Sequence, residues 1–178
     1  MGTGYYVDVA QTDSTKSSTV EDMNNFIQDE LRNGFVEAPG ELYPGLVGEM
    51  GCSWPLTPWE KRHLQAAGSL HEQSGTSTVP ISIHPGRNED APAEICRILT
   101  EAGAKEEKIA MGHLDRTIHD TQLLAEFGDL FKDVIFEFDL FGIENSHYQM
   151  APVFMPNDGE RLRRIKVRNV QFRKKGIN

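Results

Sequence analysis

Residues 78–113, TVPISIHPGRNEDAPAEICRILTEAGAKEEKIAMGH, hold one complete architectural unit. TVPISIH is rich in β-branched residues and reads as a strand ending at His84. HPGR is a Pro-Gly turn. APAEICRILTEAG reads as a helix that starts near Pro92 and stops at Gly103. EKIAMGH is a second strand, ending at His113. A strand, a crossover helix and a strand within about 30 residues form a parallel βαβ unit.

The same punctuation repeats on both sides. Upstream, TGYYVDV is a β-rich opening. STVEDMNNFIQDELRNGF follows, with Val20, Met23, Phe26, Ile27 and Leu31 at helical spacing and Gly34 as the stop. GLVGEMG is a short apolar strand ending at Glu49. TPWEKRHLQAAGSLHEQSG is a helix capped by Thr57, with Pro58 at its first position and Glu60 completing a capping box. Downstream, TIHDTQLLAEFG reads as a short helix with Leu123, Leu124 and Phe127 on one face. DVIFEFDLFG is a strand, and NDGERLRRIKVRNV a final helix with an Asx-x-x-Glu start. Five strands alternate with five helices, which predicts an α/β fold with a parallel sheet. The strands are nearly continuous in apolar residues, as expected when both faces are covered.

The chain has 178 residues and a mass of 20.0 kDa, the size of a single domain. A complete barrel of eight strand–helix units needs about 250 residues. A net charge of -9 argues against nucleic acid as a partner. From Glu160 to Asn178 there are eight basic residues and one acidic one, which reads as a solvated helix face followed by a basic tail over 167–178. Cys52 and Cys96 form no disulfide framework or metal knuckle and read as reduced thiols of a cytoplasmic protein. The start MGTGYYVDVAQ carries neither a secretory signal nor a myristoylation pattern, and no apolar run approaches the roughly 18 residues of a membrane span.

Polar residues punctuate the strand ends. Glu49, His84, His113 and Asp139 follow successive strands at steps of 35, 29 and 26 residues, each close to one βα unit. In an α/β barrel such positions converge at the carboxyl mouth. Two imidazoles and a carboxylate suit a borderline divalent cation such as zinc. Each residue also has an ordinary use: a strand-end His as a loop donor, Glu49 as a loop partner, Asp139 as a core carboxylate paired with Arg87 or Arg116. His63 and His71 fall on polar parts of their helix and read as solvated. His119 reads as a local cap, and His147 as a loop residue. Asp115 and Arg116 read either as support for the ligands or as a local ion pair. Trp54 either walls a pocket or covers the rim, and Tyr5 and Tyr6 either face the mouth or enter the core.

GTGYYVD, GEMGCSWPLT, IHPGR, GHLDRT and EFDLFG, in this order, resemble the phosphotriesterase-related proteins of the amidohydrolase superfamily of metal-dependent hydrolases. The resemblance covers Gly2 to about Lys166. It implies a (β/α)8 barrel with a binuclear zinc-type centre, where a metal-held hydroxide attacks an ester, phosphoester or amide of a small-molecule substrate. It implies Glu49 as the bridge between two metals, His84 and His113 as ligands of the second metal, and Tyr5 and Arg87 at the substrate border. The chain has no His-x-His pair, and Asp139 is not the family's last-strand Asp. The expectation is therefore a partial barrel over 1–178, roughly strands three to seven, with weak metal binding and little catalysis on its own. Open sheet edges leave an oligomer, or a non-catalytic binding partner, as the other expectation.

Overall fold

The computed structural model describes residues 1–73, 75–143 and 155–174, with side chains up to residue 166. Five strands form one parallel sheet: β1 (Gly2–Thr3), β2 (Leu46–Gly51), β3 (Ile81–His84), β4 (Ile109–Met111) and β5 (Ile135–Phe136). Their spatial order is their chain order. A doubly wound sheet reverses order at a switch point, whereas an unreversed order with helical crossovers is the winding of a barrel. The structure is thus a five-stranded barrel segment.

The helices are α1 (Asp13–Lys16), α2 (Val20–Asn33), α3 (Pro58–Ser69), α4 (Ala91–Glu101), α5 (Leu114–Thr117), α6 (Thr121–Leu130) and α7 (Asp158–Lys174). Their starts follow capping chemistry. Thr19 with Asp22 and Thr57 with Glu60 form reciprocal capping boxes, and Asn157 Oδ1 accepts from the Glu160 N–H at 2.8 Å. Ile27, Leu64, Leu70, Ile95, Leu99 and Phe127 of the helix layer pack on Val47, Ile81, Ile83, Ile109 and Met111 of the sheet. Each fully buried aliphatic side chain contributes about 1.5–3 kcal/mol.

Several details depart from the sequence reading. β1 and β5 are shorter than expected, because each pairs with a neighbour on one side only. The expected helix over TIHDTQLLAEFG starts only at Thr121, as α6, after the separate turn α5, and Leu123 is exposed while Leu124 and Phe127 are buried. β3 alternates: Ile81 and Ile83 are buried under the helices, while Ser82 and His84 are half-buried. His63 and His71 are both buried rather than solvated. Arg161 and Arg164 are buried too, so the basic helix does not simply face solvent. His147 and the end of the basic tail lie outside the described residues. Among the described residues, no helix is long and apolar enough to cross a membrane.

Candidate metal centre

The strand ends place three ligand-bearing side chains together. Glu49 enters the mouth because β2 slips register against β3 between Val47 and Met50. Gly48 makes that bulge possible: its φ is +119°, and a Cβ there would lie 2.3 Å from the Ser82 carbonyl oxygen. His84 ends β3, and Gly51 of β2 pairs with it. His113 follows β4 with φ +54°, in the left-handed region. Gly112 before it passes so close to β3 that a Cβ would lie 2.8 Å from the Ile83 carbonyl oxygen.

The three side chains converge. His113 Nε2 is 3.0 Å from Glu49 Oε1 and 2.9 Å from His84 Nδ1, and His84 Nδ1 is 3.5 Å from Glu49 Oε2. Ligand atoms about 2 Å from one tetrahedral ion stand about 3.3 Å apart. The spacing therefore fits donors around a common cation, and one oxygen or nitrogen from each residue falls within a 4.8 Å cluster. The donor set of two nitrogens and a carboxylate oxygen suits zinc and similar ions.

Surrounding groups set the state of these ligands. Asp139 lies 2.9 Å from His113 Nδ1 and also accepts from the His113 backbone N–H at 3.1 Å. The proton of His113 is thereby assigned to Nδ1, and the Nε2 lone pair faces Glu49 and His84. Asp139 thus orients His113 rather than joining the cluster. His84 is pushed down to about 4, first by burial and then by the Arg116 and His113 charges. It is neutral near pH 7, and its Nδ1 faces the cluster. Arg116 Nη2 stands 2.8 Å from His84 Nε2.

Two further residues stand at the mouth: Tyr6, one of two tyrosines left open by the sequence, and one acid that the sequence reading did not single out. The Tyr6 hydroxyl lies 3.3 Å from His84 Nε2. Tyr5, expected at the substrate border, instead stacks on Phe26 and meets Trp59 and His63 edge-on, and its N–H donates to His63 Nε2. Chain direction decides this: adjacent side chains diverge, and one of the pair must enter the helix layer. Glu137 is the second. Its carboxyl is raised above the usual range by burial and then by the Asp139 charge. The signal available was a lone acid within the apolar run VIFEF. Arg87 is half-buried just beyond His84 in the HPGR turn.

The loops at this mouth are fastened by Glu60, which is 1% exposed. Its carboxylate accepts from the N–H groups of Asp8, Ser53 and Thr57 and from Ser53 Oγ, at 2.7–3.2 Å. It ties the segment after Tyr6 to the turn after β2. Trp54 is half-buried and walls a cleft of about 560 Å³ on the outer face, with Leu56, Ala93, Leu130 and Phe131. None of the three candidate ligands lines that cleft.

Comparison with known proteins places this geometry. The model of the phosphotriesterase family matches residues 1–174. N-acetyltaurine hydrolase of Homo sapiens is 44% identical over 168 residues, covering 93% of this chain and 46% of that protein. A phosphotriesterase-related protein of Aedes aegypti is 41% identical over 172 residues, covering 93% and 47%. Among solved structures, a resiniferatoxin-binding protein from Rhodobacter sphaeroides aligns with a TM-score of 0.83 at 23% identity, covering 96% of this chain and 46% of that one. The phosphotriesterase homology protein of Escherichia coli, complexed with phosphate in its active site, aligns with a TM-score of 0.76 at 24% identity, covering 98% and 53%. The chain spans about half the length of the curated relatives it matches.

Proposed function

Since this chain belongs to the phosphotriesterase family, we propose that it carries one half of the active site of a metal-dependent hydrolase acting on a small molecule. The supporting observation is the convergence of Glu49, His84 and His113 at spacings suited to one divalent cation. Zinc suits this donor set; Glu49, His84 and His113 would hold it, and the two oxygens of Glu49 would allow that carboxylate to be shared with a second ion. When bound, such ions polarise the scissile group and lower the pKa of water toward about 7.

The chain's own residues supply orientation. His113 presents Nε2 because Asp139 holds Nδ1–H. His84 presents Nδ1 to the cluster. Tyr6, half-exposed beside His84, borders the space where substrate approaches, and its hydroxyl can donate to a substrate oxygen. Arg87 is assigned to the same border. Hydrolase-named relatives favour an acyl bond as the target, with an N-acyl amide bearing an anionic end as the leading substrate class. The cytoplasm is the proposed location.

The decisive experiment measures zinc content and amide, lactone and phosphotriester hydrolysis in a full-length homologue of this family, with and without Glu49→Ala at the matching site. Retained metal and turnover in that variant would overturn the assignment. A second reading, a catalytically incomplete binding partner, is favoured by the strand edges left at β1 and β5. A monodisperse complex without metal uptake would support it.

A further inference from the structure

Helix α7 reaches the candidate centre through a buried ion pair. Arg161 and Asp115 are both 0% exposed at their side chains, and Arg161 Nε donates to Asp115 Oδ2 at 2.6 Å. Asp115 lies two residues beyond His113, in α5, a four-residue turn that has no helical stability of its own. One turn further along α7, Arg164 Nη1 donates to the carbonyls of Asp115 at 3.1 Å and Ile118 at 3.3 Å. Two arginines on one face of α7 therefore hold the turn that follows His113.

The same guanidinium reaches the other side of the His113–Asp139 pair. Arg161 Nη2 donates to the Ile143 carbonyl at 3.0 Å, four residues beyond Asp139. Arg161 Nη1 donates to Asp158 at 2.7 Å, and Asp158 in turn accepts from the Gly142 N–H at 3.0 Å. Both the candidate ligand and the carboxylate that orients it thus sit on segments fastened to one side chain. His113 also holds a left-handed backbone conformation, which persists only where its surroundings over-determine it. A buried ion pair is a poor way to gain stability, because desolvation offsets the attraction. Its location points instead to geometric control.

We propose that Arg161, paired with Asp115, is a positioning residue for the metal centre, setting His113 and Asp139 relative to each other and so tuning metal affinity. This rests on the metal-site reading of Glu49, His84 and His113. The geometry requires no contact between Arg161 and the ion. It acts through two loops at once.

The test is a cobalt(II) titration of the full 178-residue chain, read by calorimetry and by the visible absorption of the bound ion. Three proteins are compared: the unmodified chain, Glu49→Ala, and the paired variant Asp115→Leu with Arg161→Met. The paired change removes both charges together, so no buried ion is left without its partner. The expected result is a paired variant that melts near the unmodified protein, binds cobalt about tenfold or more weakly, and shows altered absorption bands. Unchanged affinity and bands in a folded paired variant would overturn the positioning role. Loss of the fold would overturn it too, making the pair a stability element. If the unmodified chain takes up no cobalt, or Glu49→Ala binds it equally well, the site reading itself fails and carries this inference down with it.

Discussion

His113 and Asp139 are 26 residues apart in sequence, yet the imidazole Nδ1 lies 2.9 Å from the carboxylate. The contact links the ends of β4 and β5. It chooses which ring nitrogen faces Glu49. Asp139→Asn, which keeps the shape but weakens the acceptor, should lower zinc affinity by about tenfold to a hundredfold. The melting temperature should change little, because Asp139 is exposed at the mouth. A zinc titration alongside a thermal melt checks both halves; an unchanged zinc affinity would remove Asp139 from the centre.

Glu49 should separate metal binding from folding in a similar way. Its side chain is 43% exposed, so truncation opens no cavity. Glu49→Ala should abolish metal uptake while shifting stability by less than about 0.5 kcal/mol. Elemental analysis of the purified protein and a urea titration provide the two readouts.

Acid should destabilise the fold through the buried histidines. His63 is pushed down to about 3 by burial, from an ordinary 6.5, and burial also lowers His71. A depressed imidazole means that the unfolded chain takes up the proton first. Stability is therefore fully present above about pH 6.5 and falls as the pH drops toward 3. His63 alone contributes a slope of about 1.4 kcal/mol per pH unit across that window. Urea titrations at pH 7 and pH 5 should show the loss, and His63→Phe should flatten it. An equal slope in that variant would place the effect elsewhere.

Glu60 should be among the costliest polar side chains to remove. Its truncation leaves the N–H groups of Asp8, Ser53 and Thr57 without their acceptor. Each such orphan costs about 1–3 kcal/mol where water cannot replace the partner. Glu60→Ala should therefore destabilise by about 3 kcal/mol or more, and Glu60→Gln by less. Denaturant midpoints of the two variants give the comparison.

Local chemistry explains why so much was legible beforehand. The capping box at Thr57, the Asn157 start of α7 and the apolar β2, β3 and β4 are short-range patterns that depend on neighbours a few residues away. Parallel winding then follows from the alternation, and with it the shared mouth for Glu49, His84 and His113. Edge position was not readable in the same way, so β1 and β5 were expected too long. Polar partners were harder still. His63 and His71 look like solvated helix residues by spacing, but Tyr5, Val79 and Lys105 supply their buried hydrogen bonds from distant segments.

Residue order by itself settled the α/β alternation, the starts of α3, α4 and α7 and the strand-end placement of the three candidate ligands, because each depends on periodicity and nearby turns. Folding in three dimensions decided that Tyr6 rather than Tyr5 reaches His84, that Asp139 orients His113, and that Arg161 is buried against Asp115. Those outcomes depend on which remote segments meet, and a side chain's partner across the sheet leaves no mark on its own neighbours in the chain.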